Sequence, residues 1–110
     1  MGAIHGNATA TIASGQTVGA AFFVGAKVPT AVRVPAAITG ANLSFQGSQD
    51  NTTYREIYLG GALYSVPIVA GKDSVVNPSA FAAYPYLKLV SDAAEGANRS
   101  FEVLTREAGR

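Results

Sequence analysis

Apolar and polar residues alternate with period two through most of the chain. Ala8-Thr9-Ala10-Thr11-Ile12, Val32-Arg33-Val34, Leu43-Ser44-Phe45-Gln46, Leu87-Lys88-Leu89-Val90 and Phe101-Glu102-Val103-Leu104 all show it. A period of two places every second side chain on one face, the signature of strands with a single buried side. The alternation is broken by residues that favour turns: Ser14-Gly15, Val28-Pro29-Thr30, Thr39-Gly40, Gln49-Asp50-Asn51, Gly60-Gly61, Gly71-Lys72-Asp73, Asn77-Pro78 and Glu95-Gly96-Ala97-Asn98. These breaks recur about every 8 to 12 residues, the spacing of a sandwich or barrel.

The pattern predicts an all-β fold, a two-sheet antiparallel β-sandwich of eight or nine short strands. They are expected near residues 8–13, 17–24, 29–35, 42–47, 54–59, 63–69, 73–77, 85–91 and 99–105. The inward set is Ile12, Val18, Phe22, Val32, Val34, Leu43, Phe45, Ile57, Val66, Ile68, Phe81, Leu87, Leu89, Phe101 and Val103. Between Asn77 and Tyr84 the alternation lapses. There Asn77 is placed to cap one short helical turn with Pro78 at its first position, returning Phe81 to the core. The domain is expected to span residues 8–105, between a flexible N-terminal arm (1–7) and a C-terminal tail (106–110).

Charge alters this picture in one respect. Lys27, Arg33 and Asp50 are the only charged residues before Arg55, so the first half exposes a neutral surface. Such a surface is either a small-residue sheet facing solvent or one covered by a partner; because uncharged strand edges are poorly defended against pairing, self-association as a dimer or trimer is expected. A net charge of +1 gives a nucleic acid or an anionic membrane nothing to read. No stretch approaches the roughly 18 apolar residues of a membrane span. The opening Met-Gly-Ala-Ile-His has neither the basic nor the apolar part of a secretory signal, so a soluble, unprocessed chain is expected.

The inventory for catalysis is thin. With no cysteine there is no thiolate nucleophile or thiolate metal ligand, and the one histidine, His5, lies in a Gly/Ala/Asn-rich stretch that does not fix its ring. Asp50, Asp73, Asp92 and Glu95 all fall in turns and read as solvated turn acids. Ala70-Gly71-Lys72-Asp73 lacks the flanking residues of a phosphate loop, and no Gly-x-Ser-x-Gly elbow is present. No catalytic residue, metal site or cofactor is expected, and the protein is read as a non-enzyme. Five tyrosines, Tyr54, Tyr58, Tyr64, Tyr84 and Tyr86, either pack on the core or rim of the sheets, as the strand propensity of Tyr favours, or carry the binding potential as amphipathic rings suited to interfaces or sugars.

Two blocks of sequence resemble small virion proteins of tailed bacteriophages. The first runs Thr11-Ile12-Ala13-Ser14-Gly15-Gln16-Thr17-Val18, then Pro35-Ala36-Ala37-Ile38-Thr39-Gly40-Ala41-Asn42-Leu43-Ser44-Phe45-Gln46, leading to Tyr54-Arg55-Glu56-Ile57-Tyr58. The second runs Val75-Val76-Asn77-Pro78-Ser79-Ala80-Phe81, Tyr86-Leu87-Lys88-Leu89-Val90-Ser91 and Arg99-Ser100-Phe101-Glu102-Val103-Leu104. The resemblance implies a jelly-roll or galactose-binding-like sandwich that decorates or cements the capsid across major capsid protein subunits. It would be made in the host cytoplasm and reside on the virion surface. Alternatives are a tail or head-to-tail component, or a carbohydrate-binding sandwich using the tyrosines.

Partner contact is expected at the ends rather than in a pocket. Ile4 and His5 lie on the arm, and Tyr84 and Tyr86 flank a rigid Pro85 just outside a core strand, where truncating Tyr84 should leave stability unchanged.

Overall fold

The computed structural model describes residues 5–107. Its strands are β1 (His5–Ile12), β2 (Phe22–Phe23), β3 (Lys27–Arg33), β4 (Asn42–Ser48), β5 (Arg55–Glu56), β6 (Tyr58–Leu59), β7 (Ala62–Leu63), β8 (Ser65–Pro67), β9 (Asp73–Val75), β10 (Tyr86–Ser91) and β11 (Arg99–Glu107). One sheet has the order β1-β11-β3-β9; the other runs β2-β10-β4-β5, with β8 also on β4. All pairings are antiparallel.

The eleven strands reduce to eight once β5 and β8 are recognised as two parts of one edge strand. β5 pairs with Gln46 and Gly47 of β4, β8 pairs with Asn42 to Ser44 of the same strand, and the β6–β7 hairpin interrupts them. Counted this way, the pairs nest: first with last (β1·β11), second with seventh (β2·β10), third with sixth (β3·β9), fourth with fifth. Nested pairing, with successive pairs alternating between two sheets, is the jelly-roll arrangement.

The core lies between the sheets and follows the alternation. β10 reads half-buried, buried in strict turn from Tyr86 to Ser91, and β11 does so from Phe101 to Thr105. Phe45, Phe81, Phe101, Leu43, Leu87, Leu89 and Ile12 are fully buried. Phe45 meets the edge of Phe81 at 4.8 Å between ring centroids, and Tyr64 stacks on Phe45 at 5.8 Å. The helical turn is a 3-10 turn at Pro78–Phe81, capped by the Asn77 side chain accepting from the Ser79 N–H.

The boundaries differ from the sequence reading in several places. β1 begins at His5, because residues 5 to 7 pair with Arg106, Thr105 and Leu104, and β11 runs on to Glu107. The expected arm therefore loses its last three residues to the sheet, and the expected tail loses its first two. Residues 1–4 and 108–110 lie outside the described residues. The expected strand over 17–24 shrinks to Phe22–Phe23, with Val18 making a single bridge to Val90. Val18 consequently faces solvent, alone among the expected core residues. Pro29, expected in a turn, lies inside β3 where the ladder with β11 slips between Leu104 and Thr105. A residue without an N–H fits best at such a slip.

Candidate functional site

The most prominent surface feature is the β6–β7 hairpin. Its base is fixed: the Ile57 N–H donates to Phe45 O, the Tyr64 N–H donates to Ile57 O, and Ile57 is buried. Tyr64 packs on Phe45 and Phe81, and its hydroxyl accepts from the Asn77 N–H at 2.8 Å. Beyond that base every residue from Tyr58 to Leu63 is exposed. The turn is Gly60-Gly61 with φ of 67° and 86°, the left-handed pair that a two-residue hairpin turn demands. Tyr58 is 60% exposed, and Leu59 and Leu63 add two further apolar side chains in water. An apolar tip on a rigid base has little conformational entropy to lose on docking, and its exposure is unrewarded until something covers it.

A second feature lies on the outer face of the β2-β10-β4 sheet. Phe23, 62% exposed, faces Tyr86 across the β2–β10 ladder with 5.0 Å between ring centroids. Its other side rests on Gly25, where a Cβ would come within 3.1 Å of the ring. Two positions along β10, the Lys88 ammonium sits 4.3 Å from the centroid of Tyr54. The Tyr54 phenol is pushed above its ordinary pKa by burial, with Tyr86 and Asp50 adding to the effect. Beside Phe23 a groove of about 390 Å³ runs to Asn7 and Ala8 of β1, walled by Lys27 and Glu107.

The expected contact residues are placed separately. Ile4 lies outside the described residues. His5 is exposed at the start of β1, while Tyr86 is half-buried in β10 and shares the Phe23 strip. Tyr84 does not stand outside the fold: its ring lies over Gly47, where an added Cβ would be 2.5 Å from the ring carbon Cγ, and it packs against the core. The sequence reading overlooked Phe23 and, Tyr58 apart, the β6–β7 tip. A Gly-Gly pair flanked on both sides by apolar residues was the available signal for the tip.

Glu95 corrects the reading of the turn acids. Asp50, Asp73 and Asp92 are exposed, but Glu95 is 1% exposed. Burial pushes its carboxyl up, yet the N–H groups of Thr39 and Gly40, the Ser91 hydroxyl and the Arg99 guanidinium more than reverse this and hold it at about 2. Every oxygen of the group is used, so it clamps loops together and offers nothing to a substrate. Among the described residues, no three His, Cys, Asp or Glu side chains are grouped to hold a metal ion. No helix among them is long and apolar enough to cross a membrane.

No protein-family model matches the chain, and no curated protein matches its sequence. Its fold is similar to that of the SPBc2 prophage-derived protein YomS, with 13% identity and a TM-score of 0.60 over 97% of this chain and 98% of that one. A looser likeness, TM-score 0.47 and 14% identity, relates 87% of the chain to 72% of CBM32-1 from a family 31 glycoside hydrolase of Clostridium perfringens. The first likeness spans both chains almost end to end, so the whole sandwich is shared.

Proposed function

We propose that the protein is a structural component of a tailed-bacteriophage virion, decorating or cementing the capsid by binding across major capsid protein subunits and self-associating as a dimer or trimer. The observation that carries this reading is the β6–β7 tip: a rigidly based, wholly exposed apolar finger on a fold whose buried acid, Glu95, is spent on structure. The end-to-end likeness to a prophage-derived protein and the sequence resemblance to small virion proteins support the same class. On a symmetric lattice, one modest contact per copy suffices, because repetition multiplies it. The finger reaches into a neighbouring subunit, while the Phe23–Tyr86 strip supplies a second apolar contact on the sheet face.

A carbohydrate-binding role would draw on that strip. There Phe23 and Tyr86 are tilted by 49° and Lys88 occupies a face of Tyr54, whereas a sugar ring stacks on an open, flat face.

The test is co-sedimentation with empty heads assembled from the cognate major capsid protein. The parent is expected to pellet with the heads. Tyr58→Ser and Leu59→Ser, both at exposed positions, should melt within a degree or two of the parent and lose at least tenfold in head binding. A parent that stays in the supernatant at every head concentration would overturn the reading, and binding to purified tails instead would move it to the tail.

A further inference from the structure

The open edge of β1 is the feature that the proposed function leaves unused. β1 pairs with β11 on one side only. The Ala20 N–H donates to Thr11 O at 2.9 Å, so the main-chain groups of Thr11 point away from β11. In an antiparallel ladder this direction alternates, so the N–H and C=O groups of His5, Asn7 and Thr9 point outward as well. Among the described residues nothing pairs with them.

An open edge of this kind is normally blunted by a charge, a proline, a bulge or a covering loop. β1 has no Asp, Glu, Lys, Arg or Pro between His5 and Ile12, and its ladder with β11 is regular over all eight residues. Only the Thr11 end is closed, by Ala20. The β1 side chains are also spoken for or small. Asn7 and Thr9 donate to Glu102 on the solvent face, Gly6 lies under the Lys27 side chain, and Ala8 lines the groove beside Phe23.

We propose that β1 is the self-association edge: two copies pair β1 with β1, antiparallel about a two-fold axis through Asn7. This gives a molecular surface to the dimer proposed above and rests on that part of the reading, independently of attachment to capsids. The register is self-complementary. With Asn7 facing Asn7, His5 faces Thr9 of the second copy, and the whole open segment is matched by about six main-chain hydrogen bonds. Extending the rows outward puts Arg106, the β11 neighbour of His5, and Glu102, the β11 neighbour of Thr9, at opposite ends of the same cross-sheet row. No like charges meet directly. The four-stranded sheets join into one of eight strands. A second copy satisfies the edge better than an unrelated strand, because its length, neutrality and blocked end match those of β1 itself.

The chain has no cysteine, so single thiols report the register directly. The parent is expected to sediment as a dimer at tens of micromolar. Asn7→Pro removes an outward N–H and one exposed side-chain hydrogen bond to Glu102, so it should fold as before, checked by circular dichroism, and sediment as a monomer. Asn7→Cys should form a disulfide-linked dimer under mild oxidation, and Thr9→Cys alone should not. Mixing His5→Cys with Thr9→Cys should give the mixed dimer. A monomeric parent would overturn both this edge and the proposed self-association. A dimer that survives Asn7→Pro, or that cross-links through Thr9→Cys as readily as through Asn7→Cys, would overturn the edge assignment and leave self-association standing.

Discussion

Single residues in this protein matter most where burial forbids a substitute. Glu95 contributes stability through its charged form. Its carboxyl titrates at about 2 when folded, against 4.5 in its ordinary setting. The contribution is therefore complete above about pH 4.5 and disappears as the pH falls toward 2, about 3 kcal/mol in all. Melting curves between pH 7 and pH 2.5 should show this loss. Glu95→Gln presents an amide where two backbone N–H groups and Arg99 donate, so it should lose roughly 3 to 5 kcal/mol at pH 7. The variant should then vary less with pH than the parent, and an unchanged slope would show that other acids govern the acid limb. Gly47 is set by sterics instead. Its missing Cβ makes room for the Tyr84 ring, so Gly47→Ala is expected to cost about 1 to 3 kcal/mol. Tyr84→Ala should also destabilise, and the double variant should lose less than the sum, because the clash is gone with the ring. Urea melts of the three proteins would show whether the costs add.

At the scale of elements, the interrupted edge strand is the arrangement with most consequence. β5 and β8 hold one line along β4, and the chain departs between them into the β6–β7 finger before returning. The excursion is anchored by buried Ile57 and by Tyr64, so its direction is set by the core although its tip touches none of it. Both turn residues have positive φ, and a Cβ at either would meet nothing within 4 Å. Conformation rather than space is thus the constraint. Gly60→Asn, which tolerates the left-handed region, should keep head binding, and the β-branched Gly60→Val should weaken it by distorting the tip. Sedimentation with heads, beside a melting curve for each, distinguishes a bent finger from a misfolded protein.

For the molecule as a whole, stability comes from two sheets closing on one apolar layer, and cross-strand neighbours at its centre carry much of it. Phe45 and Leu89 face each other across the β4–β10 ladder, both fully buried. Phe45→Ala and Leu89→Ala should each cost about 2 to 5 kcal/mol, read as a lower denaturation midpoint at unchanged slope. If either variant held the parent midpoint, the register of its strand would be wrong by one residue.

What the sequence determined alone is the set of facts that depend on near neighbours. Period-two alternation gave most of the strands and, with the Asn77-Pro78 turn supplying Phe81, fourteen of the fifteen expected core positions, Val18 being the exception. Turn chemistry located the breaks, and Asn77-Pro78 announced the 3-10 turn. The jelly-roll resemblance agreed with the nested pairing, but which strands pair was decided by contacts between residues as distant as His5 and Arg106. Those same contacts drew His5 to Asn7 out of the expected arm and turned Glu95 from a solvated acid into a buried clamp. Local pattern says which face a side chain takes. Only the packing of distant segments decides whether that face meets water, core or an unfilled edge.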